Sequence, residues 1–294
     1  MKNNKILYPI FLLSIILGSC NYENPLDTEQ YEKTVYLIGA SDNLLTKTLS
    51  YSSEHQNTFI SVGVSGSLLI DNDITVGLSS HNSVIDWYNT KFKYLPTDLK
   101  YQALDADFYN IPSYNVTLEA GNAYAKLPIE VTTEGLHCDS LYALTFKIDS
   151  SSDYMVNKTD SALIVTFNLV NAYSGNYIFN GVRQQLDESG NVTGLTSISN
   201  TLRTFKATDE NSVRFYHEQQ AETVANIKNY GIVLNVSANN NVTVTAWEDF
   251  DLVEGTCTYN PSSKVFDISY TYHLGGNTYR MEGAFTYQVE EGDE

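Results

Sequence analysis

Val265-Phe266-Asp267-Ile268-Ser269-Tyr270-Thr271-Tyr272-His273-Leu274-Gly275-Gly276-Asn277-Thr278-Tyr279-Arg280-Met281 is the stretch that decides the fold. From Phe266 to Tyr272 apolar or aromatic residues alternate with polar ones, the period of a strand with one buried face. Leu274-Gly275-Gly276-Asn277 then reads as a tight turn, because Gly and Asn accept the positive φ that hairpin connections require. A second strand follows, so the segment is an antiparallel hairpin. The same texture extends backwards over about 120 residues, with Asp187-Glu188-Ser189-Gly190-Asn191 and Asn239-Asn240-Asn241 as further turns. Strands are expected over residues 177–186, 198–207, 213–217, 230–236, 242–247, 256–259, 265–273 and 278–289. Eight meandering strands fit an up-and-down β-barrel of lipocalin or streptavidin type. Ile178, Val182, Phe215, Val233 and Phe266 are candidates to face inward, where they would line either a filled core or a mouth for a small apolar ligand.

Upstream of residue 171 the strands are shorter and their spacing differs. Residues 34–38, 58–64, 74–78, 113–118, 123–131, 141–148 and 162–169 carry β-branched or aromatic alternation, about the number of strands in an Ig-like β-sandwich. One helix interrupts them over residues 84–92, with His81-Asn82-Ser83 as its cap and Val84, Trp87, Tyr88 and Lys91 at helical spacing. The chain therefore reads as all-β, with a sandwich domain at 33–170 and a barrel domain at 171–290.

The first residues are an address. Lys2 and Lys5 precede an apolar run over residues 6–17, too short to span a bilayer with ease, which ends in Leu17-Gly18-Ser19-Cys20. An aliphatic residue, two small residues and a cysteine resemble a bacterial lipobox, in which the Cys20 thiolate takes the lipid. Residues 1–19 are then a lipoprotein signal peptide and residues 20–32 a polar, acidic tether. The 294-residue chain carries 17 basic and 35 acidic side chains, a formal charge of −18. Removing residues 1–19 takes Lys2 and Lys5 with it and brings the charge to −20. Such a chain repels phosphate backbones, which argues against nucleic acid as a partner.

Motifs of catalysis are scarce. No Gly-x-Ser-x-Gly elbow or phosphate-cradling glycine loop occurs, and no cofactor motif is found. Five scattered histidines and the cysteines Cys138 and Cys257 show no metal-ligand spacing, and the two cysteines are expected as lone thiols. Asp71-Asn72-Asp73 and Asp105-Ala106-Asp107 suit turns better than a Ca²⁺ loop. The aromatic residues offer more: 22 Tyr, 12 Phe and 2 Trp. Sugars present apolar C–H faces and polar edges, so their sites combine flat rings with amide or carboxylate groups. Trp87, Tyr88 and Tyr94 form one candidate glycan-binding group, and Trp247, Asp249 and Phe250 another. Packing in a core is the competing role for each tryptophan.

Taken in order, Cys20, Thr34-Val35-Tyr36-Leu37, Phe59-Ile60-Ser61-Val62-Gly63-Val64-Ser65-Gly66, Asp73-Ile74-Thr75-Val76, Tyr94-Leu95-Pro96, Val116-Thr117-Leu118-Glu119-Ala120-Gly121 and Tyr142-Ala143-Leu144 carry a resemblance. They are similar to the N-terminal Ig-like domain of Bacteroidetes lipoproteins encoded in polysaccharide-utilisation loci. The segment from Tyr173-Ser174-Gly175-Asn176-Tyr177 onward resembles the lipocalin-like domain that follows it there. The resemblance implies an outer-membrane lipoprotein facing the cell exterior, with glycan as ligand and an importer complex as neighbour. Some relatives add a C-terminal hydrolase domain, for which residues up to Glu294 leave no room, so a non-catalytic role is expected. Asp139-Ser140-Leu141 and Asp160-Ser161-Ala162 also match the short O-glycosylation pattern of that phylum. The alternative expectation is a structural or adhesive surface lipoprotein acting through protein contacts.

Overall fold

The computed structural model describes residues 27–289, so the Cys20 lipobox lies outside the described residues. The N-terminal part is an Ig-like sandwich built from β1 (Thr34–Leu37), β2 (Leu44–Ser50), β3 (Gln56–Val64), β4 (Ile74–Ser79), β5 (Tyr101–Ala103), β6 (Tyr109–Asn110), β7 (Asn115–Leu118), β8 (Tyr124–Val131), β9 (Leu141–Ser151), β10 (Met155–Val156) and β11 (Ala162–Val170). One sheet runs β10-β1-β3-β8-β6; the other runs β2-β11-β9-β4-β7, with β5 beside β9. Alternation puts Val35, Leu37, Ile60, Val62, Leu127 and Ile129 on the inner face of the first sheet. They share a core with Val76, Leu144, Phe146 and Leu163 of the second. Strand β2 was not expected. Only Leu49 of its seven residues is fully buried, and it lies at a sheet edge in parallel register with β11, so its sequence lacks a clean period.

A helix, α1 (Ser83–Phe92), lies on the outer face of the second sheet. Ile85 anchors it against Ala143 and Ile164, with Val84 and Tyr88 half-buried beside them. Its cap is Asn82, but through the backbone: the Ile85 and Asp86 amides donate to the Asn82 carbonyl, and no side-chain cap bond forms. Docking one face this way turns Trp87 and Phe92 outward.

The barrel closes from β12 (Gly175–Leu186), β13 (Val192–Ala207), β14 (Ser212–Tyr216), β15 (Gly231–Val236), β16 (Asn241–Ala246), β17 (Leu252–Asn260), β18 (Val265–Leu274) and β19 (Asn277–Tyr287), each antiparallel to the next. Strands β18 and β19 pair Phe266 with Phe285, Ile268 with Gly283, Tyr270 with Met281 and Tyr272 with Tyr279. The turn between them holds Gly275 and Gly276 at positive φ. Phe215 and Phe266 face inward as expected, but Ile178, Val182 and Val233 do not. Their neighbours Tyr177, Phe179, Ile232 and Leu234 are buried instead. In a run such as Tyr177-Ile178-Phe179 both faces are apolar, so the pattern cannot fix which one turns in.

One half of the interior is filled by rings. Phe205 stacks on Tyr177 at 4.2 Å and on Phe215 at 5.0 Å, and Phe285 meets Phe179, Phe205 and Phe215 at 4.7–5.0 Å. Gly181 and Gly283 pair across β12 and β19 under the Phe179 ring. A Cβ on Gly283 would stand 2.4 Å from the Asn180 carbonyl oxygen and 2.7 Å from Phe179. Gly283→Ala is therefore expected to cost ~1–3 kcal/mol through forced displacement of backbone, read as a lower midpoint in chemical denaturation.

Candidate functional site

The residues that sequence singled out fall in three places. The first is an aromatic ridge on α1. Trp87 is 45% exposed and Phe92 46%, their rings edge to face at 6.0 Å, and Tyr88 lies 4.7 Å from Phe92. The Lys91 ammonium sits 4.9 Å from both the Trp87 and the Phe92 ring centres, a cation–π arrangement that holds the two rings upright. Tyr94, just past the helix, is 70% exposed.

The ridge continues inward through Tyr101, whose ring meets Tyr88 edge-on at 5.5 Å. Asn89 fixes that contact: its side-chain amide donates to the Tyr101 carbonyl at 2.8 Å and accepts from the Tyr101 amide at 2.9 Å. One side chain thus satisfies the backbone of β5 as a neighbouring strand would. Tyr101 also lines a cleft of about 270 Å³ whose other walls include His137, Tyr142, Asn168 and, from the barrel, Lys206. Rings, an amide, a phenol and an ammonium along one continuous surface match the chemistry of a sugar chain, with flat faces for C–H groups and donors for hydroxyls.

The second place is the junction of the two domains, and Trp247 belongs there. Its indole N–H donates to Asp139 Oδ2 at 2.9 Å, and its ring packs on His137 at 5.0 Å. Asp139 is 4% exposed, and its other oxygen pairs with Arg214, which is 1% exposed. Arg214 also reaches Glu222 at 3.2 Å, and Lys206 bonds Glu222 at 2.9 Å. Burial alone would raise the Glu222 carboxyl, but Arg214 and Lys206 outweigh it and hold the group below its ordinary value. The guanidinium of Arg214 lies 4.2 Å over the Tyr216 ring. Gly231 makes room for the tryptophan, since a Cβ there would come within 2.7 Å of Trp247. Trp247 is thus a clasp between domains, and it backs the wall of the cleft through His137. Asp249 is exposed and gives its amide to the Lys228 carbonyl at 2.8 Å.

The third place is the other half of the barrel interior, where Phe250 is buried. It packs on His217 at 4.8 Å and Tyr272 at 5.6 Å, beside Arg203 and Arg183. His217 is 2% exposed, and burial, then Arg203 and Arg183, push it down to about 3. None of Arg183, Arg203, His217, Glu218 and Tyr279 stood out in the sequence. Arg183 and Arg203 are charges at inward-facing strand positions, His217 and Glu218 follow β14 directly and Tyr279 lies on β19, so the grouping is legible only once the register is known.

The acidic motifs play structural parts. The Asp105 carboxylate accepts from the Asp107 amide at the start of a single helical turn, and Asp73 accepts from the Ala120 amide at 2.8 Å. His137, Cys138 and Asp139 have ligand atoms within 4.8 Å of one another, a grouping the spacing did not suggest. Asp139 already serves Arg214 and Trp247, so its oxygens are engaged. Cys138 and Cys257 are free thiols, each pushed up to about 12 by burial.

Two family models match the chain, one for an N-terminal domain over residues 31–155 and one for a C-terminal domain over residues 161–286. A search of curated proteins gave no match. Among solved structures, a multidomain protein from Bacteroides ovatus is 17% identical with a TM-score of 0.65, covering 86% of this chain and 94% of its own. A second Bacteroides ovatus protein, of unknown function, is 18% identical with a TM-score of 0.66 over 90% and 98%. An auxiliary nutrient binding protein from Bacteroides thetaiotaomicron is 17% identical with a TM-score of 0.63 over 84% and 91%. The chain shares its two-domain fold with this group of Bacteroides proteins.

Two outcomes follow from the clasp and the buried histidine. Asp139→Asn leaves Arg214 buried beside a neutral amide and is expected to cost ~3–5 kcal/mol in equilibrium unfolding, with a shift in Trp247 emission. Unfolded His217 takes a proton near the ordinary histidine value, while the folded residue resists until about pH 3. Stability should therefore decline as pH falls across that interval, and His217→Phe should remove this part of the decline. Glu222 contributes in the same direction at the lower end: its stabilisation is complete above the ordinary glutamate value and is lost as pH falls toward its depressed folded value. Denaturation midpoints measured across pH for both chains check the sign.

Proposed function

We propose that this protein is a cell-surface lipoprotein that binds glycans without catalysis, as an accessory to polysaccharide capture and import. Cys20 carries the lipid, the acidic tether holds the body away from the outer membrane, and the α1 face meets the glycan. The observation that carries the reading is the unbroken path from the exposed Trp87–Phe92 pair through Tyr88 and Tyr101 into the polar cleft. Exposed, pre-ordered rings give stacking surface at little cost in ordering, which suits a weak, repeated polymer ligand. The shared fold with a Bacteroides protein described as an auxiliary nutrient binding protein supports the same reading.

A non-catalytic role is supported by what the carboxylates do. Asp139 neutralises Arg214, Glu248 faces His137 at 3.6 Å, and Asp105 and Asp73 bond backbone amides. A glycosidase needs two carboxyl groups facing one another across a substrate, set roughly 5–9.5 Å apart.

Affinity-gel retardation across a polysaccharide panel tests the proposal. The full chain should be retarded by at least one polysaccharide, and Trp87→Ala should weaken that binding by roughly ten-fold or more, about the worth of one stacking contact with its packing. Melting temperature should fall only slightly in Trp87→Ala, because the ring is half exposed and its contacts, Tyr88, Phe92 and Lys91, lie outside the core. Absence of retardation on every gel, with recovery of a protein complex from outer membranes instead, would overturn it in favour of an adhesive role.

A further inference from the structure

Strand β18 runs between β17 and β19, and two of its outward residues, Ser269 and Thr271, are small. Register puts a residue on either side of each: Glu254 and Arg280 flank Thr271, while Thr256 and Glu282 flank Ser269. Short side chains between long ones make a trough on the outer wall of the barrel, two strand spacings or roughly 9–10 Å from wall to wall. These side chains line a hollow of about 310 Å³ that opens to solvent. A bulge at Val253 completes it. The pairing steps from Leu252 with Tyr272 to Glu254 with Thr271, which sets a carboxylate over the trough where a valine would otherwise stand.

Two observations point to a ligand. On the walls, the charges do not neutralise one another. Arg280 forms no ion pair among the described residues, although Glu254 faces it across Thr271 and Glu282 lies two positions along its own strand. On the floor, Thr271 is 7% exposed, and its hydroxyl has no hydrogen-bond partner among the described residues. Hydroxyls so deeply placed are nearly always paired, so this one calls for a partner that enters the hollow from outside the chain.

The mixture of groups selects the chemistry of that partner. An anion would meet one guanidinium but two carboxylates, and an ammonium would meet the guanidinium. A neutral polyol can use every group: its hydroxyls donate to Glu254 and Glu282, accept from Arg280, and bond the floor hydroxyls in either sense. We propose that this trough binds one neutral pyranose residue by its hydroxyl-bearing edge, held by Arg280, Glu254 and Glu282 on the walls and by Thr271 on the floor. The site lies on the barrel, apart from the α1 face, and does not depend on that face binding glycan.

Amide chemical shifts of the full chain, followed by NMR during titration with D-glucose, D-galactose and D-mannose, test this, with D-glucuronate and D-glucosamine as charged comparisons. At least one neutral sugar should move the Thr271 and Arg280 amides saturably, and neither charged sugar should bind more tightly than it. Arg280→Gln should weaken that binding by roughly ten-fold, in line with loss of charge-assisted bonds. Thr271→Val should weaken it by roughly three-fold, the worth of one neutral bond, and Trp87→Ala should leave it unchanged. Thr271→Val keeps a β-branched shape on a strand, and Arg280 has no ion pair to lose, so both variants are suited to fold; circular dichroism checks this. Trough amides that stay still with all three neutral sugars would assign the hollow to water and overturn the proposal. Shifts confined to α1 would overturn it too, while leaving the reading of that face intact. Arg280→Gln binding as tightly as the parent, or a charged sugar bound more tightly than every neutral one, would overturn it likewise.

Discussion

A single buried ion pair sets the geometry of this molecule. Asp139 leaves the sandwich on the turn before β9, and Arg214 leaves the outer face of β14 in the barrel; each is almost wholly buried. Neither charge is tolerable there alone, because an unpaired ion taken out of water is costly by several kcal/mol. With Trp247 on the second carboxylate oxygen and Glu222 and Lys206 at the rim, the group closes as a network in which both terminal nitrogens of Arg214 are bonded and its buried Nε is left without a partner among the described residues. Asn171, at the connection between the domains, adds bonds to the Asp209 and Ser212 carbonyls at 2.8 Å. Two β domains joined in this way present one continuous surface.

The cleft depends on that union. Its walls come mostly from β11, β9 and the turn that leads into β9, with Tyr101 of β5 beside them, and Lys206 of β13 completes it. His137 forms part of the wall and leans on Trp247 behind it. The tip of the loop after α1 joins the barrel as well, through the Asp98–Thr223 bridge and a bond from the Val224 amide to the Thr97 carbonyl. Helix α1 is thus held from both sides, which keeps its rings in register with the cleft.

Much of the fold was legible in sequence, because alternation and turn chemistry are local. The Phe266-to-Tyr272 alternation and the Gly275-Gly276 turn specify a hairpin wherever they occur, and the eight barrel strands follow from repeats of that pattern. What escaped were facts that need a partner. Strand β2 is an edge paired in parallel, with one buried residue in seven. The inward face of β12 was misassigned because Tyr177-Ile178-Phe179 is apolar on both faces. Trp247 was read with Asp249 and Phe250 as one group, yet the chain sends the three to a domain clasp, a surface loop and a barrel interior. Its partner, Asp139, is 108 positions away, and no spacing rule reaches that far. Trp87 and Tyr88 were visible because they share a helix, whereas Tyr101, which links them to the cleft, is placed by the two bonds from Asn89.

The chain has only two tryptophans, which makes its central claim directly measurable. In a Trp247→Phe variant the remaining indole, Trp87, reports on the α1 face alone. Titration with a retarded polysaccharide should shift its emission to shorter wavelength and saturate at the concentration where gel retardation saturates. Retardation that persists while Trp87 emission stays unchanged would place the glycan elsewhere and contradict the account.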